Sequence, residues 1–141
     1  MMDVTQKLQE IMLDYEGICA IFVTDVDGGL IINVALPGAC DNQRFRYTLI
    51  LSHMSAFAQI HKLTMGGHKS TYASYETHQI AVHSVNGYYF FIHAGTNASA
   101  GTLLAMRQKF VPIGQYLLKV CPPIVEQEVQ DVPMSAVTSG F

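Results

Sequence analysis

Residues 21–31 read IFVTDVDGGLI, and this stretch decides how the beginning of the chain folds. An apolar run leads into Asp25-Val26-Asp27-Gly28, and apolar residues follow directly after Gly29. Asp-Gly between two such runs is a strong signal for a tight turn that joins two antiparallel strands. We therefore predict a β-hairpin with strands at ICAIFVT (18–24) and LIINVAL (30–36), the second one stopped by Pro37-Gly38.

The same letters also resemble the start of haloacid dehalogenase-type phosphatases, in which a buried strand carries two aspartates. Those enzymes additionally need a downstream lysine for the phosphoryl group and a later acidic pair for the magnesium ion. No adjacent acidic pair follows the turn, and the late carboxylates Glu126, Glu128 and Asp131 come after the last predicted helix. The hairpin is therefore the preferred interpretation, with the phosphatase as an alternative.

The composition indicates a covered apolar surface. Half of the residues are apolar and only 13% are charged, against roughly 25% charged in an average soluble domain. The sequence has no apolar run of about 18 residues, no signal peptide pattern and no myristoylation site, so we expect no direct membrane insertion. A protein–protein interface is the remaining explanation.

The sequence gives little support for nucleic-acid binding, disulfide bonds, phosphate binding or metal binding. The net charge is −3 and the eight Lys and Arg form no cluster, so nucleic acid is not an expected partner. Cys19, Cys40 and Cys121 are an odd number without a close pair, which is typical of reduced thiols in an intracellular protein. GGHKST (66–71) lacks the glycine spacing of a phosphate-binding loop, and the six histidines lack metal-ligand spacing. We predict no catalytic residue, no metal, no cofactor and no enzyme activity.

Periodicity predicts the remaining elements. Helical spacing of apolar residues covers 4–15, 46–64 and about 99–120, the last of these containing Pro112. Short strands are predicted at KSTYASYE (69–76), HQIAVHSV (78–85) and YYFFIHAG (88–95), the last a central strand because it is apolar on both faces. The order is helix, two strands, helix, three strands, helix. This predicts an α/β sandwich with a five-stranded sheet flanked by helices over residues 1–120, and a tail over 121–141.

The second helix is too apolar for one neighbour. One side carries Tyr47, Ile50, Leu51, Met54, Phe57, Ala58 and His61, and much of the rest carries Leu49, His53, Ala56, Ile60 and Leu63. A helix lying on one sheet needs an apolar stripe little more than about 100° wide. This helix has about twice that width, so we expect its own sheet to cover one side and another subunit the other. The sequence leaves open which side faces the sheet.

Several short motifs, in this order, resemble the Roadblock superfamily, which is named for its dynein light chains. They are GICAIFVTDVDGGLIINVA (17–35), Lys69-Ser70, Tyr75, Thr77-His78-Gln79-Ile80, Asn86, and Ala100-Gly101 leading to Pro112. The resemblance spans about residues 4–120 and is strongest to the kinase-scaffold members, which belong to the late endosomal and lysosomal Ragulator complex. Val26 between the aspartates and the extra Gly29 depart from the family pattern.

The resemblance implies a scaffold that pairs through its second helix and third strand, joining two sheets into one. The implied interface residues are Tyr47, Ile50, Met54, Phe57, Ala58, His61, Tyr72, Ala73 and Ser74. The implied partners are a sister Roadblock subunit in a heterodimer, other Ragulator subunits, Rag GTPases and MEK- or ERK-type kinases, on the cytoplasmic face of lysosomes. The alternatives are a dynein-associated light chain, another GTPase-linked Roadblock protein, or a longin- or profilin-like adaptor.

Overall fold

The computed structural model describes residues 2–36 and 43–120. Its elements are, in chain order, α1 (Val4–Asp14), β1 (Ile18–Thr24), β2 (Leu30–Ala35), α2 (Gln43–His61), β3 (Ser70–Ser74), β4 (Gln79–Val85), β5 (Tyr88–Ala94), α3 (Ala100–Ala105) and α4 (Arg107–Val120). The predicted tail, 121–141, lies outside the described residues, so the division at residue 120 stays a prediction.

The five strands form one antiparallel sheet in the order β2-β1-β5-β4-β3. The prediction that YYFFIHAG is the central strand is confirmed, because β5 lies in the middle and is buried on both faces. Asn86 and Gly87 both have positive φ, 53° and 86°. A two-residue hairpin turn of this kind requires that conformation, and Asn-Gly adopts it at low cost.

The helices divide between the two faces of the sheet. α1, α3 and α4 cover one face, where Leu8, Leu103 and Phe110 pack onto strand residues such as Phe90. α2 covers the other face alone and packs onto a smaller group made of Phe22, Ile80, Val82 and Phe91. Each central strand is therefore apolar on both sides, which explains the high apolar content of the sequence.

α4 lies close to the sheet at Gly114. A Cβ atom placed on Gly114 would stand 2.5 Å from Cγ1 of Val85 and 3.3 Å from the Val85 carbonyl oxygen. The missing side chain lets the helix backbone approach β4, and the Tyr88 hydroxyl donates to the Leu117 carbonyl oxygen one turn further on, at 3.1 Å. The end of the β4–β5 hairpin is thereby fixed against α4.

Two details differ from the sequence-based expectations. The predicted single helix over 99–120 is two helices that meet at Met106, whose carbonyl oxygen accepts from the Lys109 N–H in a tightened turn. Pro112 lies inside α4 and is not the breaking point. The second helix ends at His61, earlier than predicted, because its last N–H bonds shorten to the three-residue type at 62–64.

Candidate partner interface

The Asp25–Gly28 segment is a structural turn. One Asp25 carboxylate oxygen, Oδ1, accepts from the N–H groups of Asp27 and Gly29 at 2.9 and 2.8 Å. The Gly28 N–H donates to the Asp25 carbonyl oxygen at 3.1 Å, and Gly28 has a φ of 88°. The hairpin prediction is confirmed. One oxygen of the Asp25 carboxylate thereby holds the turn.

α2 turns one stripe of side chains toward the sheet. This stripe recurs at three and four residues and consists of Arg46, Leu49, Ile50, His53, Met54 and Phe57, all buried or half-buried. Ile50 is 6% exposed and packs among Phe22, Val82 and Phe91. The stripe takes residues from both of the apolar sides that the sequence offered, which decides the question of which residues face the sheet.

Aromatic rings fix α2 in its rotation about the helix axis. The Phe57 ring stacks on Tyr89 of β5 with centroids 5.1 Å apart, and it also contacts the His68 ring at 4.4 Å. His53 meets the edge of Phe91 at 5.8 Å. Such pairs contribute about 0.5–1.5 kcal/mol each beyond the area that they bury. They hold the remaining residues of α2 on the outside.

The predicted interface residues of α2 do not share one side. Ile50, Met54 and Phe57 belong to the stripe on the sheet, and Ile50 is buried in its own chain. Their contact with a partner stays a prediction. Tyr47, Ala58 and His61 are exposed. Helical geometry places Tyr47 and Ala58 on the flank toward the β1–β2 hairpin. A cavity of about 430 Å³ there is lined by Asp27–Leu30, Arg46, Tyr47, Ile50 and Leu51.

The opposite flank of α2 faces the β3 edge of the sheet. A second cavity, of about 320 Å³, lies on this side and is lined by Thr48, Leu49, Ser52, His53, Tyr75, His78 and Ile80. Ser52, Ala56 and Ile60 follow this flank along the helix and are exposed. The connector from α2 to β3 continues the apolar surface, since Leu63 and Met65 are 62% and 71% exposed.

β3 is an edge strand that pairs only with β4 among the described strands. The N–H of Tyr75 donates to the His78 carbonyl oxygen, and the N–H of Ser84 donates to that of Lys69, both at 2.8 Å. Bonded positions alternate in an antiparallel pair, so Thr71 and Ala73 bond inward to β4. The backbone groups of Ser70, Tyr72 and Ser74 consequently point to the free edge. An edge of this kind is a template for pairing with another strand.

The side chains of the predicted β3 residues differ in their roles. Tyr72 packs toward the α3 side of the sheet, and its hydroxyl donates to Oε1 of Gln79. The Gln79 amide nitrogen in turn donates to the carbonyl oxygens of Gly95 and Ala98. Ala73 is half-buried and Ser74 is exposed. Tyr72 thus stabilises the chain itself while its backbone faces outward.

We define the partner face as Ser52, Ala56 and Ile60 of α2, the connector residues Leu63 and Met65, and the free β3 edge at Ser70, Tyr72 and Ser74. The sequence reasoning missed Met65, because it follows the end of the helix and belongs to no periodic pattern. The available signal was an apolar residue beside the turn-forming Gly66-Gly67.

Buried histidines lie around this region. His93 is 3% exposed, its Nε2 lies 3.0 Å from Nδ1 of His78, and burial followed by the His78 charge lowers the pKa of His93 to about 4. Burial, then Arg107 and His53, lowers the pKa of His68, whose ring nitrogens contact the hydroxyls of Ser84 and Thr71. The lowered pKa values favour the neutral form of the His93 and His68 rings within the packing. Residues 2–36 and 43–120 contain no group of three His, Cys, Asp or Glu suited to a metal ion.

Comparison with known sequences gives a consistent result. The profile of the mitogen-activated protein kinase kinase 1 interacting family matches residues 2–121. The Ragulator complex protein LAMTOR3 of Danio rerio is 32% identical over 109 residues, which cover 74% of this chain and 84% of that protein.

Comparison of the structures shows the Roadblock/LC7 fold. The Roadblock/LC7 domain from Streptomyces avermitilis superposes with a TM-score of 0.67 at 11% identity, covering 84% of this chain and 99% of that one. MglB of Myxococcus xanthus superposes with a TM-score of 0.61 at 16% identity, covering 83% and 93%. The fold expected from the sequence is thereby confirmed. Among the described helices, none has the length and apolar character required to span a bilayer.

Proposed function

Because the chain belongs to the mitogen-activated protein kinase kinase 1 interacting family, we propose that it is a non-enzymatic adaptor subunit of a Ragulator-type complex. In this proposal it forms a heterodimer with a sister Roadblock subunit through the partner face. The family match and the LAMTOR3 relative favour this role over that of a dynein-associated light chain.

The observation that carries the proposal is the position of the partner face. The exposed flank of α2 lies beside an edge strand whose outward backbone groups are open to a further strand. A partner of the same fold would use both features together: its own β3 edge would extend the sheet, and its α2 would cover Ala56 and Ile60. Backbone bonds would supply strength and the helix contact would supply selectivity.

The apolar surface supports the same arrangement. Eleven large apolar side chains are exposed in the described part of the chain, and six of them are Tyr47, Leu51, Ile60, Leu63, Met65 and Tyr75. Five of them fall between the start of α2 and the end of β3, and Tyr75 follows β3 directly. Ile60, Leu63 and Met65 lie on the flank of α2 toward β3, and an exposed apolar surface of this kind is typical of an interface.

The wider role follows from the Ragulator relative. The heterodimer would lie on the cytoplasmic face of late endosomes and lysosomes, held there by partners. It would help to recruit Rag GTPases for nutrient signalling through TORC1, and it would support MAP kinase signalling by binding a MEK- or ERK-type kinase. The engagement of Asp25 in its own turn supports a scaffolding role without catalysis.

The test is co-purification of the tagged full chain from its own cells, with mass spectrometry of the bound subunits and imaging of the tagged chain on lysosomes. We expect a Roadblock-fold protein in stoichiometric amount together with the other Ragulator subunits. Ile60→Glu should release the sister subunit, whereas Leu104→Glu, on an exposed leucine of α3, should retain it. Equal recovery with both variants would contradict the proposed interface.

A further inference from the structure

The segment that contains the partner face has no acidic residue. From residue 46 to residue 75 the sequence contains Arg46, Lys62 and Lys69, three histidines and no Asp or Glu. The whole chain nevertheless has a net charge of −3, with eleven carboxylates against eight Lys and Arg. The segment from residue 46 to residue 75 therefore carries basic residues without acidic ones, although the basic residues do not cluster tightly.

Carboxylates lie on both sides of this segment in the sequence: Asp41 precedes it, and Glu76 follows it directly. Asp27 lies at the β1–β2 turn, on the flank of α2 away from β3, and it lines the cavity there together with Arg46. Glu76 follows β3 at the turn into β4. Lys62 and Lys69 are exposed at the two ends of the connector between α2 and β3. A partner that covers the connector therefore approaches positive charge.

We propose that the partner face selects its partner by charge: it accepts a Roadblock-type face that carries carboxylates and disfavours a second copy of this chain. This inference rests on the proposed function, because it concerns the same face. If two copies paired by two-fold symmetry, each would place residues 46–75 against the same residues of the other copy. Since that segment has no acidic residue, every register brings only neutral or like-charged groups together.

Like-charge contact at an interface is a common means of excluding wrong partners. The apolar residues Ala56, Ile60, Leu63 and Met65 would fit a second copy as well as a different chain, so apolar contact alone cannot distinguish them. The charge pattern can distinguish them, because only a second copy would repeat the same basic residues.

The experiment uses the full chain as its own partner. Wild-type chain carrying a mass tag is co-expressed with Lys62→Glu/Lys69→Glu, and the composition of the soluble pairs is measured by native mass spectrometry. We expect the ratio of mixed pairs to like pairs to exceed its statistical value about fivefold at low salt, and the excess to disappear at about 1 M salt, where the screening length is short. The control is Lys109→Glu/Lys119→Glu, which changes the net charge equally on exposed positions of α4.

Statistical mixing, an equal excess with the α4 control, or the absence of mixed pairs would each overturn charge selection. The pull-down of the sister subunit with Ile60→Glu and Leu104→Glu is a separate measurement. It tests the proposed function, whereas the composition of the pairs tests charge selection, so the failure of one is distinguishable from the failure of the other. A second assay tests a lipid surface as the occupant. Sedimentation of the wild-type chain with phosphatidylserine vesicles, lost in Lys62→Glu/Lys69→Glu and kept in the control, would overturn the assignment to a protein partner.

Discussion

Ala73 of β3 lies directly opposite Ile80 of β4, and the backbone groups of the two residues bond to each other across the ladder. The next residue, Ser74, therefore directs its N–H to the free edge of the sheet. Two adjacent residues of one short strand thus have opposite backbone functions, one holding the chain together and one available to a partner.

Proline substitutions separate these two functions. Ser74→Pro removes only an outward donor, so we expect weaker binding of the sister subunit with little change in the free energy of unfolding. Ala73→Pro removes an inward bond to Ile80 and should destabilise the chain by about 1–3 kcal/mol, because the Ile80 carbonyl oxygen loses its donor. The measurements are pull-down of the sister subunit and urea unfolding; equal effects of both prolines on unfolding would contradict the assigned ladder.

Glutamate at two alanines of α2 tests which flank meets the partner. Ala56 lies on the flank toward β3 and Ala58 on the flank toward the β1–β2 hairpin, and both are exposed. Ala56→Glu should bury a carboxylate under the partner and cost several kcal/mol of association, whereas Ala58→Glu should bind normally. Ile50→Glu is the control for folding, because it places the charge in the core and should unfold the chain. Loss of binding with Ala58→Glu alone would place the interface on the hairpin flank.

Alanine at two helical glycines has opposite expected effects. Gly114→Ala would bring a Cβ within 2.5 Å of Val85 Cγ1, so we expect a loss of about 1–3 kcal/mol in the free energy of unfolding. A Cβ on Gly101 would meet no atom nearer than 3.8 Å, so Gly101→Ala should leave stability unchanged or raise it by up to about 1 kcal/mol. Chemical unfolding of both variants measures this; a neutral Gly114→Ala would show that α4 can move away from β4.

Acid should destabilise the chain through His93. The unfolded chain binds a proton near the ordinary value of 6.5, whereas in the folded chain the pKa of His93 is lowered to about 4 by burial. Between these values the unfolded state holds more protons, so the free energy of unfolding falls as the pH drops from 6.5 to about 4. His93 contributes up to about 3 kcal/mol to this fall, and His68 and His83 contribute in the same direction.

His93→Gln should flatten that pH dependence, because glutamine does not titrate. The control is His61→Gln, which removes an exposed histidine from α2. Unfolding in urea at several pH values between 4 and 7 provides the measurement. A slope that is the same in His93→Gln and the wild type would show that His93 is not responsible.

Local sequence signals predicted most of the elements. The Asp25–Gly28 turn, the Asn86-Gly87 turn and the cap at Asp3, whose carboxylate accepts from the Gln6 N–H, depend on residues within a few positions of each other. The break at Met106 escaped prediction because the apolar stripe continues unchanged from Leu103 to Phe110 across both helices. The spacing of apolar residues indicates which face of a helix is buried. It does not indicate where the backbone hydrogen bonds change from the four-residue to the three-residue type.

The sequence by itself determined the order of the elements, the turns that join them and the excess of apolar residues in α2, because these depend on local backbone preference and on composition. The tertiary structure alone decided that Ile50 and Phe57 face the chain's own sheet while Ala56 and Ile60 stay outside. That choice depends on contacts with Phe91 and Tyr89, which are more than thirty residues away along the chain. The direction of the Ser74 N–H likewise follows from the β3–β4 register, which no local pattern specifies.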